Sequence, residues 1–158
     1  MKFLWTDISI KNKRGSLALI ALAGLLLAAC GTATSGLPTR ETEFGQIVPV
    51  EGEAQYTDII PQELAAMLED KDFFFVNVHV PYEGELPNTD AFIPFDQIAD
   101  FLDEFPEDTN SKVVLYCRSG SMSATAAREL VRLGFSNVFN LDGGFRAWSA
   151  AGYEFIAP

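Results

Sequence analysis

The chain is poor in the residues that much protein chemistry depends on. Its 158 residues include two cysteines, Cys30 and Cys117, and a single histidine, His79. This set offers no metal-ligand spacing, so no metal is expected. No glycine-rich nucleotide loop occurs either; Gly143-Gly144 is a turn ahead of a helical pattern, not G-x-G-x-x-G. No cofactor is therefore expected. Positive charge is scarce, with 11 Lys and Arg against 22 Asp and Glu and a net charge of −11. Residues 1–29 hold Lys2, Lys11, Lys13 and Arg14 against Asp7, a net +3, so the remainder of the chain carries −14. Non-specific nucleic-acid binding rests on basic surface and is excluded, and the same charge argues against lying flat on anionic lipid. The apolar run Leu17–Ala29 has thirteen residues. As a helix it would span about 20 Å, short of the roughly 30 Å hydrocarbon core. There is no internal repeat.

What is present centres on Val113-Val114-Leu115-Tyr116-Cys117-Arg118-Ser119-Gly120-Ser121-Met122-Ser123. Val113–Tyr116 is β-branched and aromatic and predicts a buried strand. Small and polar residues follow, and a helical pattern runs from Ser123 to Leu133, with Gly134 stopping it. Strand, cysteine, tight loop and helix place a thiol where loop N–H groups and a helix N-terminus favour negative charge. The carboxyl end of a strand is also where open α/β sheets build their sites. Cys117 is the candidate nucleophile, and the competing reading is a buried structural cysteine.

Cys117–Ser123 resembles the active-site loop of rhodanese (sulfurtransferase) domains. The resemblance continues in Gly134-Phe135-Ser136-Asn137-Val138 and in Leu141-Asp142-Gly143-Gly144-Phe145-Arg146-Ala147-Trp148, which is similar to the family's C-terminal signature. It implies that Cys117 takes a sulfane sulfur as a persulfide from a small donor and hands it to a thiol or cyanide. It further implies that Arg118, Ser119, Gly120, Ser121, Met122 and Ser123 form the substrate cradle. Arg118 either binds an anionic donor or faces solvent. Met122 stands where many members carry Arg, and either packs or touches a soft substrate; the change weighs against thiosulfate. Phosphatases of related loop type need Arg six positions after the Cys, and that position is Ser123.

The resemblance is looser in the first half. Asn77 and His79 stand where members carry Asp and Arg, and an Asn–His hydrogen bond is expected to replace that pair behind the loop. His79 is either structural or a proton donor at the mouth. An acidic loop, residues 82–90, replaces the family's usual segment. Glu83 and Glu85, if near the mouth, would repel anions.

Along the rest of the chain, Pro61 opens a helix with Leu64, Met67 and Leu68 on one face. Phe73–Val80 reads as a strand buried on both faces. A helix is expected from Asp96 to Phe105, a strand at Val138–Leu141, and a last helix ended by Gly152. Strands alternating with helices predict an α/β fold: one rhodanese-like domain with a parallel central sheet and helices on both faces. Its expected span is 55–158.

Residues 1–29 have a basic start, a short apolar core and small residues before a cut site, the pattern of a secretory signal. Leu27-Ala28-Ala29-Cys30 resembles the bacterial lipobox. That resemblance implies cleavage before Cys30, a diacylglyceryl thioether on its sulfur, an acylated amine, and anchoring on the extracytoplasmic side of a bacterial membrane. The competing readings are an uncleaved signal anchor and a soluble secreted protein. Residues 30–54 would then be an acidic tether with a short strand near Gln46–Val50 and an r.m.s. span of about 25–30 Å. A function of another class stays open for the domain: a binding or persulfide-sensing module that uses the fold without turnover.

Overall fold

The computed structural model describes residues 45–158. The signal segment 1–29, Cys30 and most of the expected tether lie outside the described residues.

The sheet starts with β1 (Gln46–Pro49) and β2 (Gln55–Ile59), continues through β3 (Phe74–Asn77), β4 (Ala91–Phe92) and β5 (Val113–Tyr116), and ends with β6 (Val138–Leu141). Their spatial order is β1-β2-β6-β5-β3-β4. Among the described strands of this sheet the β1–β2 pair is antiparallel and the other strand pairs are parallel. β1 lies inside the stretch assigned to the tether, so the sheet begins about ten residues before the expected boundary at 55. Its ladder with β2 runs from Gln46 opposite Asp58 to Pro49 opposite Gln55. Pro49 sits at the strand's end on the sheet edge, where its missing N–H costs nothing.

Helices α1 (Pro61–Glu69), α2 (Ser121–Arg132) and α3 (Gly144–Ala150) occupy both faces. Strand alternation assigns the faces. Val113 and Leu115 point to the cluster that holds Ala126, Ala127 and Leu130 of α2. Val114 and Tyr116 point to the opposite cluster, with Leu64 of α1 and Phe145 and Trp148 of α3. β5 is buried at all four positions, as its continuous apolar run predicts.

Two elements differ from expectation. Asp96–Phe105 is a series of turns with a single 3-10 turn at Leu102–Glu104, not an α-helix. The segment is short and flanked by Pro94 and Pro106, and its last turn carries Asp103 and Glu104 with no basic residue to meet the carbonyl end. Ile98 and Phe105 still reach the core through i→i+3 bonds such as Gln97 N–H to Pro94 O and Asp100 N–H to Gln97 O. β3 stops at Asn77 rather than Val80: Val78 N–H still reaches Tyr116 O at 2.9 Å, and beyond it the Asn77 side chain takes the His79 N–H at 3.0 Å.

Tyr116 ties the sheet to the loop that follows β3. Its buried hydroxyl accepts the Leu86 N–H at 2.9 Å and meets Thr89 Oγ1 at 2.7 Å. Burial, more than anything else, pushes this phenol up to about 12. Tyr116→Phe leaves the Leu86 N–H unpaired and should cost about 1–3 kcal/mol, read from urea midpoints. Because the folded value lies above the ordinary 10, this residue's contribution is complete below pH 10 and fades as pH rises through about 12. The alkaline loss of stability should therefore be smaller in Tyr116→Phe than in the parent.

Candidate active site

Cys117 follows the last residue of β5, and α2 begins four residues later. The intervening turn is Arg118-Ser119-Gly120. α2 starts at Ser121, two residues earlier than the periodicity predicts, so Met122 and Ser123 belong to its first turn. Gly120 adopts φ +88°, which a side chain rarely allows. This conformation turns the Gly120 N–H onto Cys117 Sγ at 3.2 Å.

The thiol is 1% exposed. Besides the Gly120 amide it has the Ser123 hydroxyl at 3.4 Å. Ser123 Oγ also lies 3.1 Å from Gly120 O, so its one hydrogen has two acceptors. A negatively charged sulfur is the stronger of them. Cys117 Sγ itself is thus met by one amide and one hydroxyl. Gly120 and Ser123 are buried, Met122 is partly buried, and Arg118, Ser119 and Ser121 face solvent.

The Gly143-Gly144 turn braces this loop from behind. Phe145 N–H donates to Cys117 O at 2.9 Å and Arg146 N–H to Arg118 O at 3.1 Å. A Cβ on Gly144 would stand 2.1 Å from Cys117 O, so the approach admits glycine alone. The motif that sequence matched as a signature is, physically, the support for the cysteine carbonyl.

Behind the mouth lies His79, 2% exposed. Its ring meets Phe145 edge-on with centroids 5.6 Å apart. Nδ1 is 3.4 Å from Met122 Sδ, and Nε2 is 3.4 Å from Glu83 Oε2 without hydrogen-bond alignment. The expected Asn–His side-chain bond is replaced by a different pairing. Asn77 Oδ1 accepts the His79 backbone N–H, and Asn77 Nδ2 donates to Gly84 O at 2.9 Å. The geometry follows from their separation of two residues, which suits an Asx-type turn better than contact between side chains. Asn77 therefore pins the acidic loop, while His79 packs between Met122, Phe145 and Glu83.

Arg118 does not stand free. Its Nη1 lies 2.9 Å from Glu83 Oε1. Glu83 is the residue the sequence placed least well: of the two glutamates in the loop, it reaches the rim. Glu85 instead pairs with Ile156 in an antiparallel bridge. A glutamate four residues after the strand-end histidine was the available signal.

A cavity of 640 Å³ lined by Ile47, Gln55, Thr57, Met67 and Lys112 lies at the amino end of the strands and takes no part in this site. Among the described residues, no cluster of His, Cys, Asp and Glu could hold a metal ion.

A mostly parallel α/β sheet with one buried cysteine in a glycine-turned loop ahead of a helix defines a domain of the rhodanese class. The chain belongs to the rhodanese-like domain family, whose model matches residues 60–151. It is 36% identical over 105 residues to a sulfurtransferase of Allochromatium vinosum, covering 64% of this chain and 95% of that one. It is also 36% identical over 91 residues to the thiosulfate sulfurtransferase GlpE of Pseudomonas syringae, covering 56% and 84%. A crystal structure of a rhodanese-like domain protein from Staphylococcus aureus superposes with a TM-score of 0.53 at 32% identity, over 61% of this chain and 95% of that one.

Proposed function

We propose that this protein is a membrane-anchored sulfurtransferase that carries sulfane sulfur as a persulfide on Cys117. The observation that supports it most is the Gly120 N–H aimed at Cys117 Sγ at 3.2 Å, with the Ser123 hydroxyl beside it. Donors converging on a buried sulfur stabilise negative charge there, which both the attacking thiolate and the product persulfide need. The thiolate attacks the outer sulfur of the donor, a new S–S bond forms, and the donor's own bond to that sulfur breaks with the electron pair leaving on the donor. A thiol or cyanide then takes the outer sulfur and Cys117 is restored. Cys30, as a lipidated N-terminus, would hold the domain at the extracytoplasmic side of a bacterial membrane, with the residues up to Gly45 as its tether.

The test is intact mass of the detergent-purified full chain after exposure to thiosulfate and, separately, to an organic persulfide. The expected result is a gain of one sulfur, about 32 mass units by simple atomic mass, removed by cyanide, as covalent catalysis requires. No gain with either donor, in a folded sample whose thiol still alkylates, would leave a binding or sensing module as the function. The starting mass reads the lipid on Cys30 in the same experiment.

A further inference from the structure

The cysteine loop carries one charge, and that charge is already answered. Arg118 is the only ionic side chain from 117 to 123, and Glu83 Oε1 holds it at 2.9 Å. The other oxygen of Glu83 faces His79 Nε2 at 3.4 Å. His79 thus has the Met122 thioether on one nitrogen and the Glu83 carboxylate beside the other.

The backbone around Glu83 is held as firmly as its side chain. Gly84 O accepts from buried Asn77, and Glu85 exchanges two backbone bonds with Ile156, at 2.8 and 2.9 Å. A Cβ on Gly84 would stand 2.4 Å from Ile156 O, so the chain's C-terminal segment lies directly on the residue after Glu83. The negative charge at the rim is built in.

We propose that Glu83 is a specificity-determining residue. By occupying Arg118 it removes the loop's only cation from the mouth, turns away dianionic thiosulfate and leaves organic persulfides, whose sulfur carries at most one negative charge, as the donors. This rests on the Cys117 transfer reading above. With thiosulfate, the thiolate bonds to the outer sulfur, the S–S bond breaks and sulfite leaves with the electron pair. Donor and leaving group are both anions of sulfur oxoacids, and an unpaired cation close to Sγ stabilises both. With an alkyl persulfide, R–S–SH, the same attack transfers the outer SH and expels RS⁻, which takes a proton from water. No dianion forms. The Arg118 and Glu83 side chains are 49% and 36% exposed, and an ion pair of that kind contributes little to folding. Its replacement should be tolerated.

The experiment compares the full chain with Glu83→Gln and with the double variant Glu83→Gln, Arg118→Ala. It measures the rate of Cys117 persulfide formation from thiosulfate and from 2-hydroxyethyl persulfide. The thiosulfate-to-persulfide rate ratio should rise about tenfold or more in Glu83→Gln, the factor that corresponds to about 1.4 kcal/mol. It should return to the parent value in the double variant, because the freed guanidinium is then absent. An unchanged ratio in Glu83→Gln, or a parent that loads equally fast from both donors, overturns the role of Glu83 while leaving sulfur transfer standing. A parent that loads from neither donor overturns the transfer reading itself. Thermal melts accompany each rate, and Glu83→Ala gives a second charge-free variant should Glu83→Gln fold poorly.

Discussion

Cys117→Ser is expected to lose sulfur loading and cyanide-dependent thiocyanate production by at least about 10³-fold, with the fold intact. The hydroxyl that replaces the thiol is a far weaker nucleophile. Among the described residues its hydrogen-bond partners are the Gly120 N–H and the Ser123 hydroxyl, both donors to it, so neither draws the proton from a serine there. The same two neighbours make the substitution mild for folding. A buried hydroxyl at 117 would inherit both partners, so no polar group is stranded, and the change in stability should stay below about 1.5 kcal/mol. Thiocyanate yield and a thermal melt on the same sample check both halves. A serine variant that still gains cyanide-labile sulfur would place the chemistry elsewhere.

The second large effect is expected at Gly144, which touches no substrate. Gly144→Ala must place a Cβ 2.1 Å from Cys117 O and 2.6 Å from the Arg118 carbonyl carbon, at φ +58°. Left-handed backbone alone costs a non-glycine residue about 1–2 kcal/mol. Here backbone atoms must also move, and those atoms form the cysteine loop. The bond from Phe145 N–H to Cys117 O, now 2.9 Å, is the first to stretch. A total of about 3 kcal/mol or more is expected, lowering Tm by roughly 10–20 °C for a domain of this size. Activity in the surviving folded fraction should fall about 10²-fold, the scale of a 1 Å misplacement of a reacting group. Gly152→Ala is the control. It sits at φ +89° with nothing within 4 Å of its would-be Cβ. It should show the conformational cost without the collision, and its activity should match the parent. Equal losses at the two positions would mean that backbone strain, not crowding against the cysteine loop, sets the effect.

These two positions differ in how far they can be read without coordinates. Cys117 was identifiable because its signal is local. An apolar β-branched run, a cysteine, three small or polar residues and a helical period lie within a few residues of one another, and strand and helix periodicities act at that range. The glycine pair was identifiable as a motif but not as a mechanism, since nothing in Leu141–Trp148 tells that its turn lies on the carbonyl of Cys117. The Asp96–Phe105 segment shows the reverse error. Its apolar spacing fits a helix, yet the core accepts the same side chains on turns, and the acidic final turn favours that outcome.

The sequence by itself determined the α/β class, the alternation of strands and helices, the cysteine and its loop between strand and helix, and the acidic charge of the domain. All of these rest on composition or on contacts between near neighbours. Only the tertiary structure decided which charges meet at the mouth. Glu83 finds Arg118 across 35 residues, and His79 finds Met122 across 43. Asn77 and Ile156 both hold the acidic loop, at Gly84 and Glu85. Electrostatic pairing depends on distances of a few ångströms, and chain separation alone sets none of them. The sheet register that stacks β3 on β5 brings the strand ends, and therefore these side chains, to one rim.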